Sequence, residues 1–146
     1  MDWAHGGISA NAQSELDRIL ATALSQARER LTVATDFEPF AIVTATDARV
    51  LAVDWDTAPL GKHPEIEQIL DAAVLQFRHL RDTTHCTALV VNTRLSREHT
   101  DAIEVRLEHY EGACAVAFLP YKRARFGPKI EFGELSLFTR SPEVWV

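Results

Sequence analysis

From Ile103 to His109 the chain alternates apolar and charged side chains, and after Glu111-Gly112 it continues as an almost unbroken apolar run from Ala113 to Tyr121. A period of two requires extended chain, because successive side chains of a strand point to opposite faces. Two such segments joined by a short glycine-containing turn predict a β-hairpin. Parity then assigns faces. Ile103, Val105, Leu107 and His109 point one way, and Glu104, Arg106 and Glu108 point the other, which predicts one wet face. The run after the turn has no polar parity. It predicts a strand covered on both sides, the central one of its sheet, with alanines that admit a helix backbone.

The rest of the chain supplies partners for this hairpin. Leu16, Ile19, Leu20, Ala23, Leu24, Ala27 and Leu31 recur at three- and four-residue spacing, which predicts a helix from Ser9 or Asn11 to about Val33. Glu38-Pro39 then forces extended chain. Strands are expected over Phe40–Thr44 and Val50–Val53, with Asp47 bonding locally in the turn between them. Pro64 suits the first turn of a second helix, whose stripe is Ile66, Ile69, Leu70, Ala73, Val74 and Phe77. Further strands are expected over Thr87–Thr93 and Ile130–Phe138. The order is α-β-β-α-β-β-β-β, and short connections favour antiparallel neighbours. The expected fold class is α+β: a single antiparallel sheet of five to six strands with two main helices packed on it. The expected organisation is an irregular N-terminal arm over 1–10 broken at Gly6-Gly7, one domain over 11–140, and a tail over 141–146.

At 146 residues the chain can bury a core without a metal or disulfide. Its net charge of -6 disfavours nucleic acid and acidic membranes as partners. The charge is uneven: residues 1–73 hold 5 basic and 12 acidic side chains, residues 74–146 hold 10 and 9. Cys86 and Cys114 sit in apolar strand-like surroundings and read as buried, reduced thiols. The start of the chain lacks the pattern of a secretion signal. No apolar run is long enough to span a membrane. A cytoplasmic location is the resulting expectation.

Three groups of residues are candidates for chemistry. Lys122, Arg123, Arg125 and Lys129 lie within eight residues and, with His109, form the candidate anion or ligand site. A solvated hairpin loop is the competing reading. Asp54 and Asp56 share a direction on extended chain, and with His63 they offer acid–base or cation-binding groups. Ordinary turn acids explain them equally well. Trp55 and Trp145 are candidate partner-binding anchors, or plugs at the edge of the core. The histidines His5, His63, His79, His85, His99 and His109 show no ligand spacing. No metal motif, nucleophile elbow, phosphate loop or dinucleotide fingerprint occurs, so no catalytic residue, metal or cofactor is assigned.

The block Asp101-Ala102-Ile103-Glu104-Val105, Leu107-Glu108-His109, with Phe118-Leu119-Pro120-Tyr121 and Phe132-Gly133-Glu134-Leu135, resembles a pattern found in a family of small uncharacterised bacterial proteins. It covers the last third of the chain. The resemblance implies a single bacterial domain and assigns no functional residue. The expected function is a non-catalytic binding or regulatory domain, such as an immunity- or antitoxin-like module that covers a basic protein partner. Self-association as a homodimer is compatible with it. The alternative is a small enzyme or small-anion-binding protein using the Asp54/Asp56/His63 loop or the 122–129 loop.

Overall fold

The computed structural model describes Trp3, residues 7–127 and residues 129–146. Half of the expected N-terminal arm, including His5 and Gly6, lies outside these residues, as does Pro128.

Helix α1 spans Ala10–Val33. It starts where Ser9 Oγ accepts the Ala12 amide at 3.0 Å, satisfying one of the amides that a helix start leaves without a partner. Its buried residues are the expected stripe, joined by Ala12. Helix α2 spans Ile66–Leu80. Pro64 falls before it, not in its first turn. The start is set instead by a reciprocal capping box, in which Glu65 and Gln68 each bond the other's backbone amide.

Seven strands form one antiparallel sheet: β1 Phe40–Ala45, β2 Val50–Val53, β3 Thr84–Leu95, β4 Thr100–His109, β5 Cys114–Arg123, β6 Ile130–Phe132 and β7 Ser136–Thr139. Their order is β2-β1-β3-β4-β5-β6, and β7 also pairs with β5. The antiparallel α+β class holds. The single strand expected over Ile130–Phe138 is two, β6 and β7, separated at Gly133–Leu135. Both pair with β5, β6 at Tyr121–Arg123 and β7 at Ala115–Phe118.

The centre of the sheet is β3 and β4, not β5. In β5 only alternate residues, Ala115, Ala117, Leu119 and Tyr121, are fully buried. Helix α1 lies over β1, β3 and β4, and α2 lies over β3. The odd-numbered residues of β5 join the first core, and its apolar second parity (Val116, Phe118, Pro120) is half-buried.

The helices take opposite faces and make two cores. Under α1, Leu16, Ile19, Leu20 and Leu31 pack on Ile42, Val90, Ile103, Val105 and Leu107. Under α2, Leu70, Ala73 and Phe77 pack on Ala41, Val43, Leu89 and Val91, and Val144 joins them from the tail. The face of β4 expected to be wet is mostly closed: Glu104 and Glu108 are buried. Its parity was read correctly, but α2 and the tail cover it.

One mismatch of lengths shapes the surface. β1 begins at Phe40, opposite Val90, whereas β3 continues to Leu95. Residues Val91–Leu95 are thus paired with β4 on one side and have no strand on the other.

Truncating Ile103, which is fully buried between α1 and the sheet, should cost about 2–4 kcal/mol as Ile103→Ala. Leu75→Ala, on the exposed side of α2, should stay within about 0.5 kcal/mol. Urea unfolding of both variants measures the difference.

Candidate functional site

The sequence candidates do not converge. Arg123 donates to the carbonyls of Leu31 and Ala34 at 3.1 and 2.8 Å, so it closes the C-terminus of α1. Arg125 reaches only its neighbour Phe126, with the guanidinium 5.9 Å from the ring centre. Lys122 borders a hollow of about 310 Å³ with Glu98 and Glu131. Lys129 is exposed. Asp54 and Trp55 border a different hollow, with Glu38, Pro39, Thr57 and Ile69. Asp56 bonds the Ala58 amide at 2.9 Å, and His63 lies outside that hollow. The Trp55 indole donates to the Ile69 carbonyl at 3.1 Å, and its ring packs against the second core with Trp145.

His109 is fully buried beneath α1. Its Nδ1 accepts the Glu111 amide at 3.1 Å, so Nε2 carries the proton and donates to Glu15 at 3.0 Å. The other oxygen of Glu15 meets His85 Nδ1 at 2.8 Å. Tyr110 covers both imidazoles, 4.9 and 5.1 Å between ring centres. Burial pushes the Glu15 carboxyl up, but its hydrogen bonds with His109 and His85 outweigh it and hold the group below its ordinary value. This cluster binds helix to hairpin. Among the described residues, no group of three or more His, Cys, Asp or Glu is arranged to hold a metal ion.

On the opposite face, Glu108 holds the tail. Its two oxygens accept the amides of Glu143, Val144 and Trp145 at 2.7 to 3.1 Å. Arg78 and Arg81 donate to the carbonyls of Glu143 and Val144. The strap brings Val144 into the second core, where it is 2% exposed.

A concavity with converging polar groups lies at the free margin of β3. It measures about 570 Å³ and runs between the segment after α1 (Thr35, Asp36), the start of α2 (Ile66, Glu67, Leu70) and the ends of β3 and β4. Arg94 and Arg106 border it, but both are already paired. Arg106 meets Glu104 at 2.6 Å and Glu67 at 3.5 Å. Burial works against the Arg106 charge, and these two carboxylates more than restore it. Arg94 meets Asp101 at 3.2 Å. Tyr121 donates to Asn92 Oδ1 at 2.6 Å, which turns the Asn92 amide so that Nδ2 donates to Asp36 at 2.6 Å. Burial keeps the Tyr121 hydroxyl protonated and hence a donor.

Asp36, Glu67, Asp101 and Glu104 therefore each use one oxygen inside the protein. The second oxygen of each has no hydrogen-bond or ion-pair partner among the described residues. Four carboxylates against two neutralised guanidiniums leave the groove electronegative.

Of these groove residues, Glu104 and Arg106 were read from the sequence as strand-face positions and Tyr121 as a neighbour of the basic loop, but the four carboxylates were not singled out as a site. The signal was the inequality of β1 and β3, but it is invisible when the third strand is ended at Thr93 and register is unknown.

No helix among the described residues is long and apolar enough to cross a membrane. No family model, curated protein or solved structure matches the chain significantly.

Two outcomes test these clamps. Because the Glu15 pKa is depressed in the folded state, its contribution is full above the ordinary value of 4.5 and is lost as pH falls through the lower folded value. The stability gap between wild type and Glu15→Gln should therefore be constant above that value and close below it, measured by denaturant melts across pH. Glu108→Ala should cost about 1–3 kcal/mol, since buried tail amides lose their acceptor, and should speed amide exchange at residues 143–145.

Proposed function

We propose that the protein is a non-catalytic binding domain that receives a basic segment of a protein partner in the groove at the end of β3 and β4. The observation that carries this reading is the set of four half-satisfied carboxylates around one open concavity of about 570 Å³. A lysine or arginine side chain placed there gains charge-assisted hydrogen bonds without displacing an internal one. The acidic first half of the chain, which supplies Asp36 and Glu67, would steer such a partner. An immunity- or antitoxin-like module that covers a basic protein is one concrete form.

The chemistry of the other groups favours binding over nucleophilic catalysis. Burial drives the Cys86 thiol far above its ordinary value, with Glu15 and Glu108 adding to the shift. Burial and Glu108 push Cys114 up to about 12. A thiol in that state does not supply the thiolate a nucleophile needs at neutral pH. In the 122–129 loop Arg123 is committed to α1, which weakens the small-anion alternative.

Titration with an oligo-lysine peptide tests the reading. Binding should weaken with salt, and the triple variant Asp36→Asn, Glu67→Gln, Asp101→Asn should lose at least about tenfold in affinity, equivalent to about 1.4 kcal/mol. Equal affinity in the variant, or preference for an oligo-glutamate peptide with shifts at residues 122–129, would sink it.

A further inference from the structure

The groove carries main-chain groups as well as carboxylates. In an antiparallel pair the N–H and C=O of one residue share a direction, and the direction alternates along the strand. The His109 amide donates to Ala113 in the β5 direction, and the Tyr110 amide donates to His85 in the β3 direction. Odd-numbered residues of β4 therefore address β5, and even-numbered ones address β3. Through the register Glu104↔Val91, Ala102↔Thr93 and Thr100↔Leu95, the residues of β3 that address β4 are Val91, Thr93 and Leu95. Asn92 and Arg94 address the other side, where β1 has already ended opposite Val90. Their two amides and two carbonyls have no hydrogen-bond partner among the described residues. Both residues border the groove.

We infer that the partner segment binds in extended form and adds as a strand to β3, pairing its main chain with Asn92 and Arg94. This rests on the proposed binding function and specifies its mode. An exposed strand margin is a template for another chain. Strand addition takes affinity from the main chain and selectivity from alternate side chains. Here one parity of the added strand would come within reach of Asp36 and Asp101 and the other of Glu67 and Glu104, so basic side chains of either parity meet carboxylates and a segment basic at alternate positions is enough to engage the groove. The site is open because β1 begins at Phe40, opposite Val90, and no described residue before it bonds the main chain of Asn92 or Arg94. The Asn92 side chain is held aside by Tyr121 and Asp36.

The full chain should be titrated with a heptapeptide of alternating arginine and valine, and with the same peptide N-methylated at every second residue in either phase. Amide exchange at Asn92 and Arg94 should slow at least about tenfold at saturation. One of the two N-methylated peptides should lose at least about tenfold in affinity, since methylation removes the donors facing β3. Arg94→Pro deletes an outward amide without touching the β3–β4 ladder, and it should bind the parent peptide at least about tenfold more weakly than Arg94→Ala. The inference is overturned if the parent peptide binds while the two amides exchange unchanged, or if both N-methylated peptides bind as well as the parent. In that case salt-sensitive oligo-lysine binding would leave the proposed function standing. If neither cationic peptide binds, both fall. Should Arg94→Pro fail to fold, the exchange and N-methylation results on the wild-type chain decide alone.

Discussion

Glu108 and His109 are neighbours on β4 that point to opposite faces of the sheet, and each is a polar group whose burial would be costly if it stood alone. Each is satisfied by a distant part of the chain. Glu108 collects the amides of residues 143–145, and His109 donates to Glu15 on α1. Two residues further on, Glu111 accepts the backbone amide and hydroxyl of Ser9, the residue that caps α1. The end of one strand thus fastens the first helix on one face and the tail on the other. Gly112, with φ of 109°, lets the chain turn back at this point without strain.

These clamps close one end of the sheet and leave the other open. Near Glu108 the tail fills the space beside α2, and a residual gap of about 20 Å³ remains. Towards Leu95 nothing comparable covers β3. The segment after α1 and the start of α2 border that margin without pairing with it. The groove is what remains between them, lined by whatever polar groups terminate β3 and β4. Its charge follows from arginines already paired within the protein, which leaves four carboxylates with spare acceptor oxygens.

Much of the architecture was legible in residue order. The stripe of α1, the alternation of β4 and the turn at Glu111-Gly112 are local patterns, and local patterns are what periodicity reads. The central position assigned to β5 failed for a physical reason. An apolar run reports that both parities are apolar, not that both are covered, and only the odd-numbered parity of β5 joins a core. The wet face of β4 failed in the reverse sense. Charged side chains can be enclosed when partners arrive from 35 to 39 residues away, as Glu67 does for Arg106 and the tail amides do for Glu108. Among the candidate residues, Arg123 shows how a cluster in sequence can disperse in space: its guanidinium reaches back to carbonyls 89 and 92 residues earlier.

By itself the sequence determined both helices, the first five strands, the antiparallel class and the parity of β4. All of these follow from side-chain period and turn chemistry within a few residues. Tertiary structure alone decided which buried charges would be satisfied and where the sheet would leave a margin open. Both depend on register between strands far apart in the chain. A strand's sequence states how it alternates, but only its neighbours fix where its pairing stops.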